Sequence, residues 1–233
     1  MALQASISFA EPSLSKADTL LLRTRQQLPR VPLHIEAELK SKKRSGSLKK
    51  RMYLDMSINW GGKPPTAIYR IQDGFGTPIE QMEITWETNN QPTYVYYKGG
   101  DLELETLPDL YGPVADTDFS WIDLSFSFLW WKGGEIVRTE KVKGRRCVVI
   151  DVLAPTKGAI YHSTRLWIDP EVYAVLQVDA YDKDGTAIRR VKVKSFKKIN
   201  DIWTIKDLDI YRFPSKHKTT LRVKNIESWQ EVR

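Results

Sequence analysis

Cysteine occurs once in this 233-residue chain, at Cys147. A single thiol inside the apolar run Cys147-Val148-Val149-Ile150 has no partner, which excludes a disulfide framework and predicts a buried, inert side chain. Histidine is nearly as scarce: His34, His162 and His217 fall on separate predicted segments, with no nucleophile elbow at any serine, so a serine or cysteine hydrolase is not signalled. His34 on the polar side of its strand and His217 in a lysine-flanked turn read as solvated surface, while His162 stays open. No Cys or His pair has metal-ligand spacing, and Asp182 with Asp184 read as turn formers, so no metal is expected. Glycines fall in pairs at turns and never form a phosphate cradle between strand and helix, and nothing selects a pair of carboxylates for glycoside chemistry. No apolar run is long enough to span a bilayer as a helix, and no charged-then-apolar leader opens the chain, so the folded part is expected to be soluble, whether Met1 is a natural start or follows a removed signal. Together these features select no catalytic site and signal no cofactor; an enzymatic reading would need a polar cluster inside the fold, such as His162 beside carboxylates.

What is present is alternation. Residues 33–40 place Leu33, Ile35, Ala37 and Leu39 on one side, and residues 52–60 place Met52, Leu54, Met56, Ile58 and Trp60 likewise. A period of two is the signature of a strand with one dry and one wet face. The polar linker from Ser41 to Ser47 joins the two as a long antiparallel hairpin. Further strands are predicted at 66–72, 79–87, 93–98, 102–107, 135–142, 145–153, 160–168, 172–182, 186–199, 202–211 and 219–229. Asp73-Gly74, Asn89-Asn90, Gly99-Gly100, Asp184-Gly185 and Asn200-Asp201 mark turns between them. Links this short favour a meander of antiparallel neighbours over a parallel sheet with crossover helices.

Helical signals are few. Residues 1–14 have no period and read as an extended or disordered arm. Ser15 and Asp18 have capping-box spacing, and an amphipathic helix follows over 16–28. A second capping pair, Ser120 and Asp123, opens the greasy stretch 118–131, where the first half is expected to be helical and the second half to be helix or strand. The fold class is therefore mainly β (α+β), one large curved antiparallel sheet or unclosed barrel covered by two helices, in a single domain over 15–233.

Two features carry candidate function. About thirteen strands is more than a barrel fills with its own side chains, so the dry face is a candidate cavity wall. Its candidate residues are Ile35, Leu39, Met52, Leu54, Met56, Ile58, Trp60, Met82 and Trp86, with Trp121 and Phe126 as wall or lid. The basic tract at the hairpin tip, with Lys42, Lys43, Arg44, Lys49, Lys50 and Arg51, is a candidate contact for an anionic membrane surface or an envelope protein. Nucleic acid fits poorly, because the aromatics do not alternate with the basic residues on one face.

The chain resembles the periplasmic lipoprotein-carrier superfamily of LolA and LolB type, in its outer-membrane lipoprotein-sorting branch. The resemblance covers about residues 15–229 and rests on the 33–60 hairpin, on Asp118-Phe119-Ser120-Trp121-Ile122-Asp123-Leu124-Ser125, on the stretch 144–151, and on the run from Leu166-Trp167-Ile168-Asp169-Pro170 to Leu221. It implies an unclosed barrel that shelters lipid or lipoprotein acyl chains, a periplasmic location, a monomer and no enzymatic activity. Carriers of this type hold their lid shut with an arginine, and no arginine here sits in a motif that transfers that role. An envelope sensor or protein-interaction module using the same concavity is the alternative.

Overall fold

The computed structural model describes residues 14–87, 92–156, 158–199, 202–215 and 217–228. Helix α1 (Lys16–Gln26) precedes strands β1 (Leu33–Lys42), β2 (Leu48–Asn59), β3 (Thr66–Gln72), β4 (Pro78–Thr85), β5 (Thr93–Lys98) and β6 (Glu103–Glu105). A long connection then carries helix α2 (Trp121–Ser125) and a 3-10 turn (Ser127–Trp130). Strands β7 (Glu135–Val142), β8 (Arg145–Leu153), β9 (Ser163–Asp169), β10 (Ala174–Tyr181), β11 (Ala187–Ile199), β12 (Ile202–Arg212) and β13 (His217–Ser228) complete the described chain.

The strands form one antiparallel, unclosed sheet in the order β6-β5-β4-β3-β2-β1-β13-β12-β11-β10-β9-β8-β7. Every neighbour is also a sequence neighbour except β1 and β13, which pair from Leu33–Ser228 to Lys42–Lys218 and join the two halves of the meander. The opening hairpin therefore lies at the centre of the sheet, paired from Leu33–Ile58 to Lys42–Leu48. Residues 1–13 of the predicted arm at 1–14, the turns Asn89-Asn90 and Asn200-Asp201, and Trp229 lie outside the described residues.

Local chemistry explains the two helices. Ser15 Oγ accepts from Asp18 N at 3.0 Å, and Asp18 in turn accepts from Gly134 N at 3.1 Å, so the cap of α1 also anchors it to the end of the long connection. At α2 the capping box is complete: Ser120 Oγ accepts from Asp123 N at 3.1 Å and Ser120 N donates to Asp123 at 3.0 Å. Phe126, at φ 52°, ends α2 in the left-handed region. The greasy stretch is thus helical in its first half and a 3-10 turn, not a strand, in its second.

The main core gathers side chains from the sheet, α1, α2 and the connection, among them Leu21, Leu39, Ile71, Phe119, Phe128, Ile150 and Ile210. A small second cluster on the opposite face of β7–β10 holds Val142, Cys147, Val149, Trp167 and Leu176. Cys147 is fully buried there, and burial, with Asp169 nearby, pushes its thiol above the ordinary value, so it stays protonated and inert.

Candidate functional site

The dry face of the sheet is covered mostly by the connection between β6 and β7 and less by the helices as such. Tyr111, Val114, Phe119, Trp121, Ile122, Leu124, Phe128, Leu129 and Trp131 are all buried in the main core. Residues 106–134 act as a plug. Of the expected wall, Ile35, Leu39, Met52, Leu54, Met56, Ile58, Met82, Trp86 and Trp121 are buried in that core, and Trp60 and Phe126 pack partly buried against it. The structure brings all eleven into one apolar cluster, and they meet the plug there. A surface groove of about 580 Å³, lined by Asp182, Thr186, Ala187, Ile188, Arg190, Phe213 and Pro214, shares no residue with them.

The plug is apolar in bulk but is tied to the sheet by polar contacts at three places. At the first, Lys50 on β2 donates to the Ala115 carbonyl at 3.3 Å, and Glu80 on β4 takes a hydrogen bond from the Ala115 backbone and one from Tyr96 Oη at 2.8 Å. Burial outweighs these bonds and raises the Glu80 carboxyl above its ordinary value. At the second, Thr219 on β13 accepts from Asp118 N at 3.1 Å and donates to Asp118 Oδ2 at 2.8 Å, with both residues buried.

The third contact is the most enclosed. Asp123 Oδ2 accepts from Arg189 Nη1 on β11 at 2.8 Å and from Tyr161 Oη at 2.7 Å, while Arg189 Nη2 donates to the Tyr111 carbonyl at 3.2 Å. The side chains of Arg189 and Asp123 are 7% and 3% exposed, so this is an ion pair inside the barrel. Burial works against the Arg189 cation, but Asp123 and Tyr161 outweigh it and hold the guanidinium protonated. Burial and the Asp123 charge push the Tyr161 hydroxyl far above its usual value, which keeps it a donor.

Beside the plug, Trp60, Trp86 and Trp130 cluster with centroids 4.8 to 5.3 Å apart, Trp130 stacked on both of the others and Trp60 tilted against Trp86. Arg25 of α1 lies 6.0 Å over Trp130 and donates to the Leu129 carbonyl at 2.6 Å. The buried Trp86 Nε1 has no hydrogen-bond partner among the described residues.

The basic tip divides. Lys50 and Lys49 reach the plug at Ala115 and Asp116, and Arg51 pairs with Glu38 at 3.1 Å. Lys43 and Arg44 are exposed and Lys42 is half-buried. The histidine expectations need correction at two points: His34 is half-buried and its Nε2 lies 2.6 Å from Asp55 Oδ2, because a cross-strand carboxylate faces it on the wet side, and His217 is half-buried at the start of β13, paired with Arg212, and not in a turn. His162 is exposed and away from the polar cluster in the barrel. Sequence reasoning missed Arg189 and Tyr161, since their partner Asp123 lies 66 and 38 residues away and nothing local marks them.

With this geometry in place, comparison places the chain. A family model described as an uncharacterized protein matches residues 105–233, which span the plug and all of β7 to β13. The chain belongs to that family. Solved structures with the same architecture include a DUF1329 family protein from Desulfovibrio piger (TM-score 0.78, 14% identity, covering 93% of each chain). A Vibrio parahaemolyticus domain named for outer membrane lipoprotein sorting gives a TM-score of 0.79 at 16% identity and covers 94% of each chain. A LolA superfamily protein from Nitrosomonas europaea gives 0.69 at 10% identity over 92% of this chain and 94% of its own. No curated protein matches the chain. The fold is LolA-like: an unclosed antiparallel sheet with few helices, as the resemblance in sequence implied.

Proposed function

We propose that this LolA-like protein is a non-enzymatic periplasmic carrier that binds lipid or lipoprotein acyl chains on the apolar face of its open barrel. The observation that carries this reading is the plug: an apolar insert that fills the concavity yet is fastened to the strands by discrete polar contacts at Ala115, Asp118 and Asp123. A permanent core segment gains nothing from a buried ion pair, which well-packed apolar residues commonly equal or better. A segment that must leave and return gains a defined closed position. The plug also contains Ala115, Asp116 and Phe126 in the left-handed region, where non-glycine residues are held at a cost of order 1–3 kcal/mol each.

In this reading Ile35, Leu39, Met52, Leu54, Met56, Ile58, Met82 and Trp86 form the wall that an acyl chain contacts once the plug swings out. Trp60, Trp121 and Phe126 line the way in. Arg189 serves as the arginine that holds the lid shut, a role that no sequence motif pointed to. Each methylene moved from water into the barrel contributes about 0.8 kcal/mol, on the order of 10 kcal/mol over a dozen carbons, which offsets part of the plug's own contacts. The exposed part of the basic tip, Lys43 and Arg44, is the contact for an acidic envelope partner. Displacement of a fluorescent fatty acid from delipidated protein tests the carrier reading: saturable binding in the micromolar range supports it, and no displaceable binding sinks it.

A further inference from the structure

The β11–β12 hairpin leaves the sheet. Strand β10 pairs with β11 only between Ala187 and Lys192, and β13 pairs with β12 only from Asp207 onward. Beyond those points, from Phe196–Ile205 to Ile199–Ile202, the two strands pair only with one another. Register shifts on both sides of Ser195 fall where the ribbon departs, and bulges there bend and twist it away from its neighbours. Asp207 pins the base, accepting from Ser195 Oγ at 2.9 Å and from Arg222 Nε at 2.5 Å.

Ile199, Ile202 and Ile205 pack partly buried against the main core, while Trp203 is 69% exposed and Phe196 41% exposed. In sequence, residues 192–206 hold five lysines and one aspartate. Lys197 is exposed, the Lys194 side chain is half-exposed, and Lys206 donates to the Val223 carbonyl from a partly buried position. The strand register puts this ribbon at the end of the sheet opposite the β1–β2 tip, at the same end as the start of β1 and the turn between β9 and β10. Val31 and Val172 are exposed at that end, and the carboxylates of Asp169 and Glu171 are held by Arg145.

An exposed tryptophan and phenylalanine beside lysines, carried on a protruding ribbon, is the composition that settles at the headgroup level of a bilayer. The indole lies at the interface and each lysine near an anionic surface adds about 1 kcal/mol of attraction. We propose that the β11–β12 ribbon docks the protein on an anionic phospholipid bilayer through Trp203 and Phe196, with Lys194 and Lys197 on the headgroups. Trp203 and Phe196 lie outside the apolar cluster of the barrel interior, and their docking does not depend on what the interior carries.

The test is co-sedimentation of the full chain with vesicles of phosphatidylcholine containing phosphatidylglycerol, set against pure phosphatidylcholine vesicles. Binding is expected to favour the anionic vesicles and to fall with added salt. Trp203→Ala and the pair Lys194→Glu with Lys197→Glu each weaken it by about fivefold or more, the loss that 1 kcal/mol implies. Trp203 and Lys197 are exposed, so unchanged thermal unfolding is expected of Trp203→Ala and of Lys197→Glu alone; Lys194 also lies 4.0 Å from the buried Asp209, so the double variant is compared with Lys194→Gln, and fatty-acid displacement by all of them in vesicle-free solution is expected to match the parent. Equal binding to neutral vesicles overturns the proposal. So does loss of binding in Lys43→Glu with Arg44→Glu while the ribbon variants bind normally, which moves the contact to the opposite tip. Failure of fatty-acid displacement alone counts against the carrier reading and leaves the ribbon untouched.

Discussion

At the scale of single residues, Asp123 has two roles. Its spacing from Ser120 marks it as the second half of a capping box, and it closes that box. The same carboxylate also receives Arg189 and Tyr161. The first role is visible in sequence because a capping box is complete within four residues; the second is set by the pairing of β11 with β12 and by the path of the plug. Removing one partner of a buried pair leaves an uncompensated charge, at a cost of about 3–5 kcal/mol, whereas removing both relieves the desolvation of each. Arg189→Met is therefore expected to lower stability in urea unfolding by about that amount, and Arg189→Met with Asp123→Asn to recover a substantial part of it. If the double variant is as unstable as the sum of the singles, the two residues do not act as a latch.

At the scale of elements, strands were legible and their cover was not. Thirteen strands were expected and thirteen are present in the described chain, several with unchanged bounds, such as 66–72 and 145–153, because strict alternation reports directly on a half-buried strand. The connection before α2 has no period at all, so nothing in residues 106–119 announced that it would supply Tyr111, Val114 and Phe119 to the core. Alternation also hid a charge on the wet face. Glu38 lies on β1 between β2 and β13 and is only 4% exposed, receiving Lys40 at 3.0 Å, Arg51 at 3.1 Å and Lys224 at 3.2 Å. Burial raises its carboxyl, but Lys40 and Lys224 outweigh burial and bring it below the ordinary value. A carboxylate lowered in the folded state contributes stability that is present above its unfolded value of about 4.3 and is lost as pH falls through the folded one. The parent protein should thus lose stability progressively below about pH 4. Glu38→Gln should be less stable at neutral pH by an amount on the order of 1 kcal/mol and should show a shallower decline on acidification. Equal acid slopes in thermal melts of the two proteins would show that the three-strand cluster does not act through charge.

At the scale of the whole molecule, the unclosed sheet and its plug pose one mechanical question for the proposed carrier: would an acyl chain add to the barrel or replace what fills it? The wall residues and the plug share a single apolar cluster, with Leu39, Met82 and Phe128 fully buried in it. Close-packed interiors leave no room for an acyl chain beside their own side chains. On the carrier reading, entry of an acyl chain would therefore expel the plug, and the polar contacts at Ala115, Asp118 and Asp123 would break together with the apolar ones. Native-state hydrogen exchange reports such an opening segment by segment. Saturating fatty acid is expected to speed exchange at residues 119–130, by about tenfold for every 1.4 kcal/mol of protection lost, while amides around Ile150, Leu166 and Ile210 in the sheet keep or gain protection. If fatty acid binds and the plug amides stay as protected as before, cargo is held somewhere other than the concave face, and the latch at Arg189 secures a core and not a lid.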